Sequence, residues 1–193
     1  MTFGWYAAFT AILPFVPFQR PRKTIADEAA LYDYAINALS RRMRTVAELK
    51  RLMRRRVPEG EIGTLLVEMV ILRLKDQKYL NDSNYAAAYS AYRRDTEKFG
   101  RRRVVTDLKV KGIHPDVIEK AVDEAYTAVD EPALARAFLK RKRLRKPATN
   151  KEAARIFRAL MRAGFAMSTS ISVLKDWKVD DELLSSLEEE HEA

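Results

Sequence analysis

Catalysis needs nucleophiles, metal ligands or poised proton donors, and this chain has few. It contains no cysteine and only two histidines, His114 and His191. A thiolate nucleophile and a cysteine-built zinc site are therefore excluded. Most histidine-metal and Ser-His-Asp schemes go with them. His114-Pro115-Asp116 reads as a helix start with an acid in its first turn rather than as a catalytic pair. The run Glu188-Glu189-Glu190-His191-Glu192 is an acidic tail that needs no metal to explain it. No glycine-rich loop has the spacing of a phosphate or dinucleotide cradle. The chain is read as a non-enzyme, with no cofactor, no metal and no small-molecule substrate.

What recurs instead is positive charge. Of 193 residues, 36 are Lys or Arg and 27 are Asp or Glu, a net charge of +9. Seven of the acids fall in residues 180–193, which hold no Lys or Arg. The rest of the chain is correspondingly more basic and suits a polyanion: nucleic acid, an acidic membrane or an acidic protein surface. The bases fall in three clusters. Residues 41–56 hold Arg41, Arg42, Arg44, Lys50, Arg51, Arg54, Arg55 and Arg56. Residues 93–111 hold Arg93, Arg94, Lys98, Arg101, Arg102, Arg103, Lys109 and Lys111. Residues 136–151 hold Arg136, Lys140, Arg141, Lys142, Arg143, Arg145, Lys146 and Lys151, and no acid. Arg155, Arg158 and Arg162 extend the third cluster along one helix face. A solvated helical surface would also be rich in Lys and Arg, but composition does not require the clusters to sit at equivalent places.

The elements that position these clusters are helices. Thr45-Val46-Ala47-Glu48 is a capping box, followed by an apolar stripe through Val46, Leu49, Leu52 and Met53. Ile62, Leu65, Leu66, Met69, Val70 and Leu74 continue the helical period, and the longest helix is predicted near 59–77. Asn81-Asp82 opens a helix bearing Tyr85, Ala86, Tyr89 and Tyr92, and Gly100 is expected to end that run. Further helices carry Val104 and Leu108, then Val117, Ile118, Ala121 and Val122 behind the Pro115 start. Others carry Leu134, Ala135, Phe138 and Leu139, then Ile156, Phe157, Leu160 and Met161, then Ile171, Leu174 and Trp177. No segment alternates as a strand would.

A repeat underlies the pattern. Leu52, Arg56-Val57, Ile62 and Leu66 form one copy. Leu108, Gly112-Ile113, Ile118 and Val122 form the next; Leu160, Gly164-Phe165 and Leu174 form the third, with Ser170 in the slot of Ile62 and Ile118. Gly112 and Gly164 suit a left-handed helix end; Arg56 in the same slot needs another turn. The fold class expected is all-α: an elongated, right- or left-curved array of three tandem three-helix repeats. The units are expected at 24–78, 79–128 and 129–178.

Tyr79-Leu80-Asn81-Asp82, with Tyr85-Ala86, Tyr89 and Arg93, resembles the central signature of the bacterial regulatory protein RecX family. Gly100, Leu108, Lys111-Gly112-Ile113 and Ile118 fit the same pattern, as do Thr45, Glu48 and Leu49 in the first repeat and Gly164-Phe165 in the third. The resemblance covers about residues 26–178. It implies binding to the RecA–DNA filament and inhibition of RecA's ATPase, strand exchange and coprotease activity. It brings no catalytic residues. The alternative is a non-specific nucleic-acid-binding protein acting independently of RecA.

The filament- or DNA-binding residues expected are Arg51, Arg54, Arg55, Arg93, Arg94, Lys98, Arg101, Arg102, Arg103, Lys109, Lys111, Lys140, Arg141, Lys142, Arg143, Arg155, Arg158 and Arg162. The partners are the RecA filament and single- or double-stranded DNA. Base-specific readout is not expected, because the third helices of the first two units lack exposed bases: 61–72 has none, and 115–126 has only Lys120. The tyrosines at 85, 89 and 92 could stack bases, but their spacing continues a core face. Residues 1–19 carry no charge and include Phe3, Trp5, Tyr6, Phe9, Phe15 and Phe18, with Pro14 and Pro17 interrupting. The order of charge is wrong for a signal peptide. Residues 1–23 are expected to be a disordered extension, with a membrane or partner anchor as the alternative. Residues 179–193 are expected to be an acidic tail, starting with a short helix through Leu183, Leu184 and Leu187 and competing with the target for the bases. The protein is expected to be a cytoplasmic monomer without stable membrane association.

Overall fold

In the computed structural model, which describes residues 24–192, ten α-helices and no strand are found among the described residues. The first unit is α1 (Glu28–Arg41), α2 (Val46–Arg54) and α3 (Glu61–Asp76). The second is α4 (Asp82–Asp95), α5 (Arg101–Val110) and α6 (Pro115–Tyr126). The third is α7 (Glu131–Arg141), α8 (Asn150–Arg162) and α9 (Met167–Asp176), followed by α10 (Asp181–Glu192). Three separate apolar cores match the three units. Leu31, Leu49, Val67 and Leu74 lie in the first, Ala86, Val104, Leu108 and Val122 in the second, and Phe138, Leu160, Phe165 and Leu174 in the third. In each unit the third helix packs on the first and second.

Local sequence accounts for the helix starts. The Thr45 hydroxyl accepts from the Glu48 N–H and Glu48 reaches back to the Thr45 N–H, so the box closes. Asn81 Oδ1 accepts from the amides of Ser83 and Asn84, and His114 Nδ1 accepts from Asp116. Those side chains satisfy N–H groups that have no partner within the helix.

Four details differ from the sequence reading. The fourth helix stops at Asp95, and Gly100 caps the start of α5 instead of ending α4. Ile62, Leu65 and Met69, read as core, are exposed, while the buried face of α3 is Gly63, Val67, Val70, Ile71 and Leu74. The tyrosine stripe divides: Tyr85 is buried and stacks on Tyr89, but Tyr92 is exposed. Ser170, in an apolar slot, is fully buried and gives its hydroxyl proton to the Ala166 carbonyl at 3.0 Å. That bond satisfies the hydroxyl inside its own helix, so the slot tolerates it.

The acidic end is partly structural. Leu184 and Leu187 of α10 are buried in the third core, and Asp180 accepts from the Glu182 N–H. The readings of residues 1–23 lie outside the described residues.

The units meet through the ends of their second helices. The amide of Gly100, at the start of α5, donates to Ala163 O at the end of α8, 2.9 Å away; Arg102 donates to Gly164 O at 3.2 Å. At the other junction the Thr45 hydroxyl, at the start of α2, donates to Lys111 O at the end of α5, 2.8 Å away. At the α5–α8 junction unpaired amides thus meet unpaired carbonyls, and at the α2–α5 junction the cap hydroxyl of Thr45 meets one; in both, a positive helix end faces a negative one. Gly164 has φ +88, and a Cβ there would lie 2.1 Å from the Arg103 backbone nitrogen. Gly112, with φ +77, faces Ala47 in the same way at the first junction.

Gly164→Ala therefore combines left-handed strain with a backbone collision. It should cost roughly 2–3 kcal/mol and lower Tm by roughly 5–10 °C, read by thermal and urea unfolding.

Candidate nucleic-acid interface

The second junction gathers several bases that form no ion pair among the described residues, Lys142, Arg155 and Arg162 among them. Helix α8 starts at Thr149, whose hydroxyl accepts from the Glu152 N–H, and Glu152 in turn accepts from Ala148. Ala153, Ile156, Phe157 and Leu160 are buried. The period that buries them turns Lys151, Arg155, Arg158 and Arg162 outward. Helix α7 ends at Arg141, and Arg143 adopts a left-handed turn with φ 55. The amides of Arg143 and Leu144 return to the carbonyls of Lys140 and Leu139. This reversal lays Leu144 against the third core.

Between α5, α7 and α8 lies a cavity of about 470 Å³. Phe99, Phe138, Leu144, Ala159 and Ala163 line it together with Arg103, Lys142, Arg155 and Arg162, and no carboxylate does. A second cavity of about 360 Å³ shares Leu144 and Arg155 and adds Arg143, Arg145 and Lys146. Its one acid, Glu152, is engaged by Ala148. The two form one groove with an apolar floor and cationic walls. Such walls focus a positive potential, and an aromatic floor between cations suits a base flanked by phosphates.

The ion pairs sort the expected contact residues. Arg93 is bonded to Asp107 and lies 4.2 Å from the Phe99 ring centroid. Arg94 bonds Asp95 and the Ala125 carbonyl, and Arg101 bonds Asp123. Arg141 grips Glu97 with two bonds of 2.9 Å, and Lys111 holds Glu48 at 3.0 Å. These five hold the scaffold. Arg103 is tied to Asp107 at 3.0 Å but still lines the groove. Among the described residues Arg51, Arg54, Arg55, Lys98, Arg102, Lys109, Lys140, Lys142, Arg143, Arg155, Arg158 and Arg162 form no ion pair. The groove gathers Arg103, Lys142, Arg143, Arg155 and Arg162 from two clusters. Arg51 and Arg54 stay on α2 with Arg55 at its C-terminal cap, and Arg102 and Lys109 lie exposed on α5. The sequence reading had no signal for the floor: Phe99 and Phe138 look like core residues until the two units are brought together.

The first junction is a sealed version of the same contact. Lys111 sits 5.4 and 5.3 Å from the Tyr85 and Tyr89 ring centroids, with Thr45 fully buried beside it. Burial pushes the Glu48 carboxyl up, but the hydrogen bond and charge of Lys111 and the Thr45 amide outweigh it and hold the group below the usual glutamate range. Burial pushes the Tyr126 hydroxyl up, and that hydroxyl donates to the Phe99 carbonyl at 2.8 Å. Among the described residues no cluster of His, Asp or Glu could hold a metal, and no helix is long and apolar enough to cross a membrane.

The sign for Glu48 follows from its depressed pKa. The unfolded chain binds its proton more readily, so its contribution is present above the unfolded pKa and is lost as pH falls through the folded one. Urea unfolding from pH 7 to pH 3 should show the parent losing more stability than Glu48→Gln, the two curves converging at the acid end.

Comparison with known proteins comes to the same architecture. The family model for the second three-helix domain of RecX matches residues 81–122. The regulatory protein RecX of Myxococcus xanthus is 31% identical over 169 residues, covering 81% of this chain and 89% of that protein. The regulatory protein RecX of Bacillus pumilus is 30% identical over 146 residues, covering 75% of this chain and 54% of that protein. The chain spans about half the length of several of the curated relatives it matches. A crystal structure of regulatory protein RecX superposes with a TM-score of 0.63 at 24% identity, covering 77% of this chain and 71% of that one. The crystal structure of RecX from Lactobacillus salivarius gives 0.59 at 23%, covering 80% and 99%. At those identities the structures support the fold.

Proposed function

This chain belongs to the RecX family of regulatory proteins, and we propose that it is a negative regulator of the RecA recombinase. It holds to the RecA–DNA filament through its basic second helices and restrains ATP hydrolysis, strand exchange and coprotease activity. The observation that carries this reading is the groove at the second junction, where cations from α5, α7 and α8 converge with no carboxylate on the wall of the larger cavity. A polyanionic backbone answers that arrangement, and an aromatic floor accepts bases without sequence preference. The outward side of α3 carries the apolar stripe of Ile62, Leu65, Met69 and Leu72, with bases only in its last turn, and that of α6 is largely acidic, which speaks against base-edge reading by the start of a third helix.

The test is steady-state ATP hydrolysis by RecA on single-stranded DNA, with the protein titrated in. Inhibition is expected with the parent chain. Replacing Lys142, Arg155 and Arg162 with Gln should weaken it while leaving the far-UV spectrum unchanged. The triple variant should also bind single-stranded DNA with a salt slope smaller by about 2, from roughly 0.7 per lost phosphate contact. Arg101→Gln should have a much smaller effect, because Arg101 already bonds Asp123.

Recombinase-independent nucleic-acid binding is the second reading, favoured by the same unpaired cations. A large excess of naked DNA separates the two: inhibition that persists points to the filament, and inhibition that vanishes points to DNA alone.

A further inference from the structure

The three third helices are equivalent in the fold but not in what they turn outward. Helix α6 exposes Glu119, Lys120, Asp123 and Glu124, and α9 exposes Ser172, Lys175 and Asp176. Helix α3 exposes Ile62, Leu65, Met69 and Leu72, at 70, 55, 50 and 60% of their surfaces. Spacings of three, four and three are those of the a and d positions of a heptad, so the four side chains form one seam about 15 Å long. The buried residues of α3, Val67, Val70, Ile71 and Leu74 among them, lie on the opposite side. Single exposed apolar residues need no explanation, but a heptad seam has the shape that a second helix covers.

We propose that this seam pairs with the same seam of a second copy of the chain, the two α3 helices running antiparallel about a two-fold axis at the level of Val67. In an antiparallel pair each a position lies level with a d position of the other helix. Ile62 then meets the partner's Leu72 and Leu65 meets the partner's Met69; both pairs are centred on position 67, so one register uses all four side chains. Charge selects the direction. Glu61 and Lys75 flank the seam on one side, both exposed and without an ion pair among the described residues. The same register sets Glu61 beside the partner's Lys75, twice over by symmetry. The other flanking charges are already engaged, Glu68 by Lys50 at 2.6 Å and Arg73 by Glu28 at 3.4 Å. Beyond the last layer the partner's Asp76 comes near the start of α3, where the cap residue Gly60 supplies no side chain. A parallel pair would instead bring two acidic starts and two like dipole ends together.

The contact is small. Four part-exposed side chains offer roughly a few hundred Å² per copy, so the pair buries less than the ~1,200–2,000 Å² of a stable interface. The association therefore belongs to the weak class, with a Kd of roughly 10–100 μM, and the chain read as a monomer from its sequence is one only when dilute. The groove at the second junction takes no residue from α3. A dimer joined at α3 thus keeps both grooves open and presents two cationic sites on one body, which raises avidity for a long polyanion.

The experiment is sedimentation velocity on the full chain from micromolar to several hundred micromolar. The mass should rise with concentration from 22.2 kDa towards twice that value. Leu65→Glu with Met69→Glu should hold the chain at 22.2 kDa throughout; both residues are exposed, so the far-UV spectrum should stay helical. Lys75→Glu should weaken the dimer about tenfold, because both symmetric pairs become repulsive. Adding Glu61→Lys to Lys75→Glu should restore the affinity to within about threefold of the parent. A merely structural effect would make the double variant worse, and a parallel pair would not be rescued, so absence of rescue overturns the proposal. A single 22.2 kDa species at the highest concentration overturns it too, as does a dimer that survives Leu65→Glu with Met69→Glu. A dimer lost on deleting residues 1–19 alone would assign the association to that segment and equally sink the pairing of α3 with itself.

Discussion

Everything in this array depends on second helices meeting end to end. An α-helix leaves four amides unpaired at one end and four carbonyls at the other. Here the start of α5 is set against the end of α8, and the start of α2 against the end of α5. Each junction satisfies groups that would otherwise need water and aligns opposite dipole ends. Close backbone approach is the price, and small residues permit it: Gly100 and Gly164 at one junction, Gly112 and Ala47 at the other. The same contact sets the units side by side, each with its own set of buried residues, while Phe99 and Tyr126 pack against both the second core and the third.

The junctions also decide what each cation does. Where an acid falls beside a base across a junction, the charge is absorbed into the scaffold, as with Lys111 and Glu48 or Arg141 and Glu97. Both of these carboxylates are partly buried, so screening there is somewhat weaker than on the open surface. Where no acid is supplied, as along α8, the charge remains available to an external anion. The chain therefore uses chemically identical side chains in two ways, some paired within the scaffold and some left unpaired. Their neighbours, rather than their type, tell the two apart.

The helices and their repetition were legible in the chain because both rest on local physics. Thr45 with Glu48, Asn81 before Asp82, and His114 before Pro115 mark starts through bonds made within three residues. Gly112 and Gly164 mark ends through a conformation that other residues adopt at a cost. The apolar period located most of the buried residues. It misplaced Ile62, Leu65 and Met69, because a stripe apolar on both sides has no single inward face to read.

From sequence alone came the all-helical class, the three units, the family likeness and the three basic clusters. These follow from spacing and side-chain type, which a linear chain displays in full. Only the tertiary structure decided which cations pair, that Phe99, Phe138 and Leu144 floor a groove, and that α3 keeps an apolar outer face. Those facts concern residues tens of positions apart, such as Arg103 and Arg162, or the two sides of one helix. Neither pairing nor exposure exists until the units dock, so no pattern along the chain could carry them.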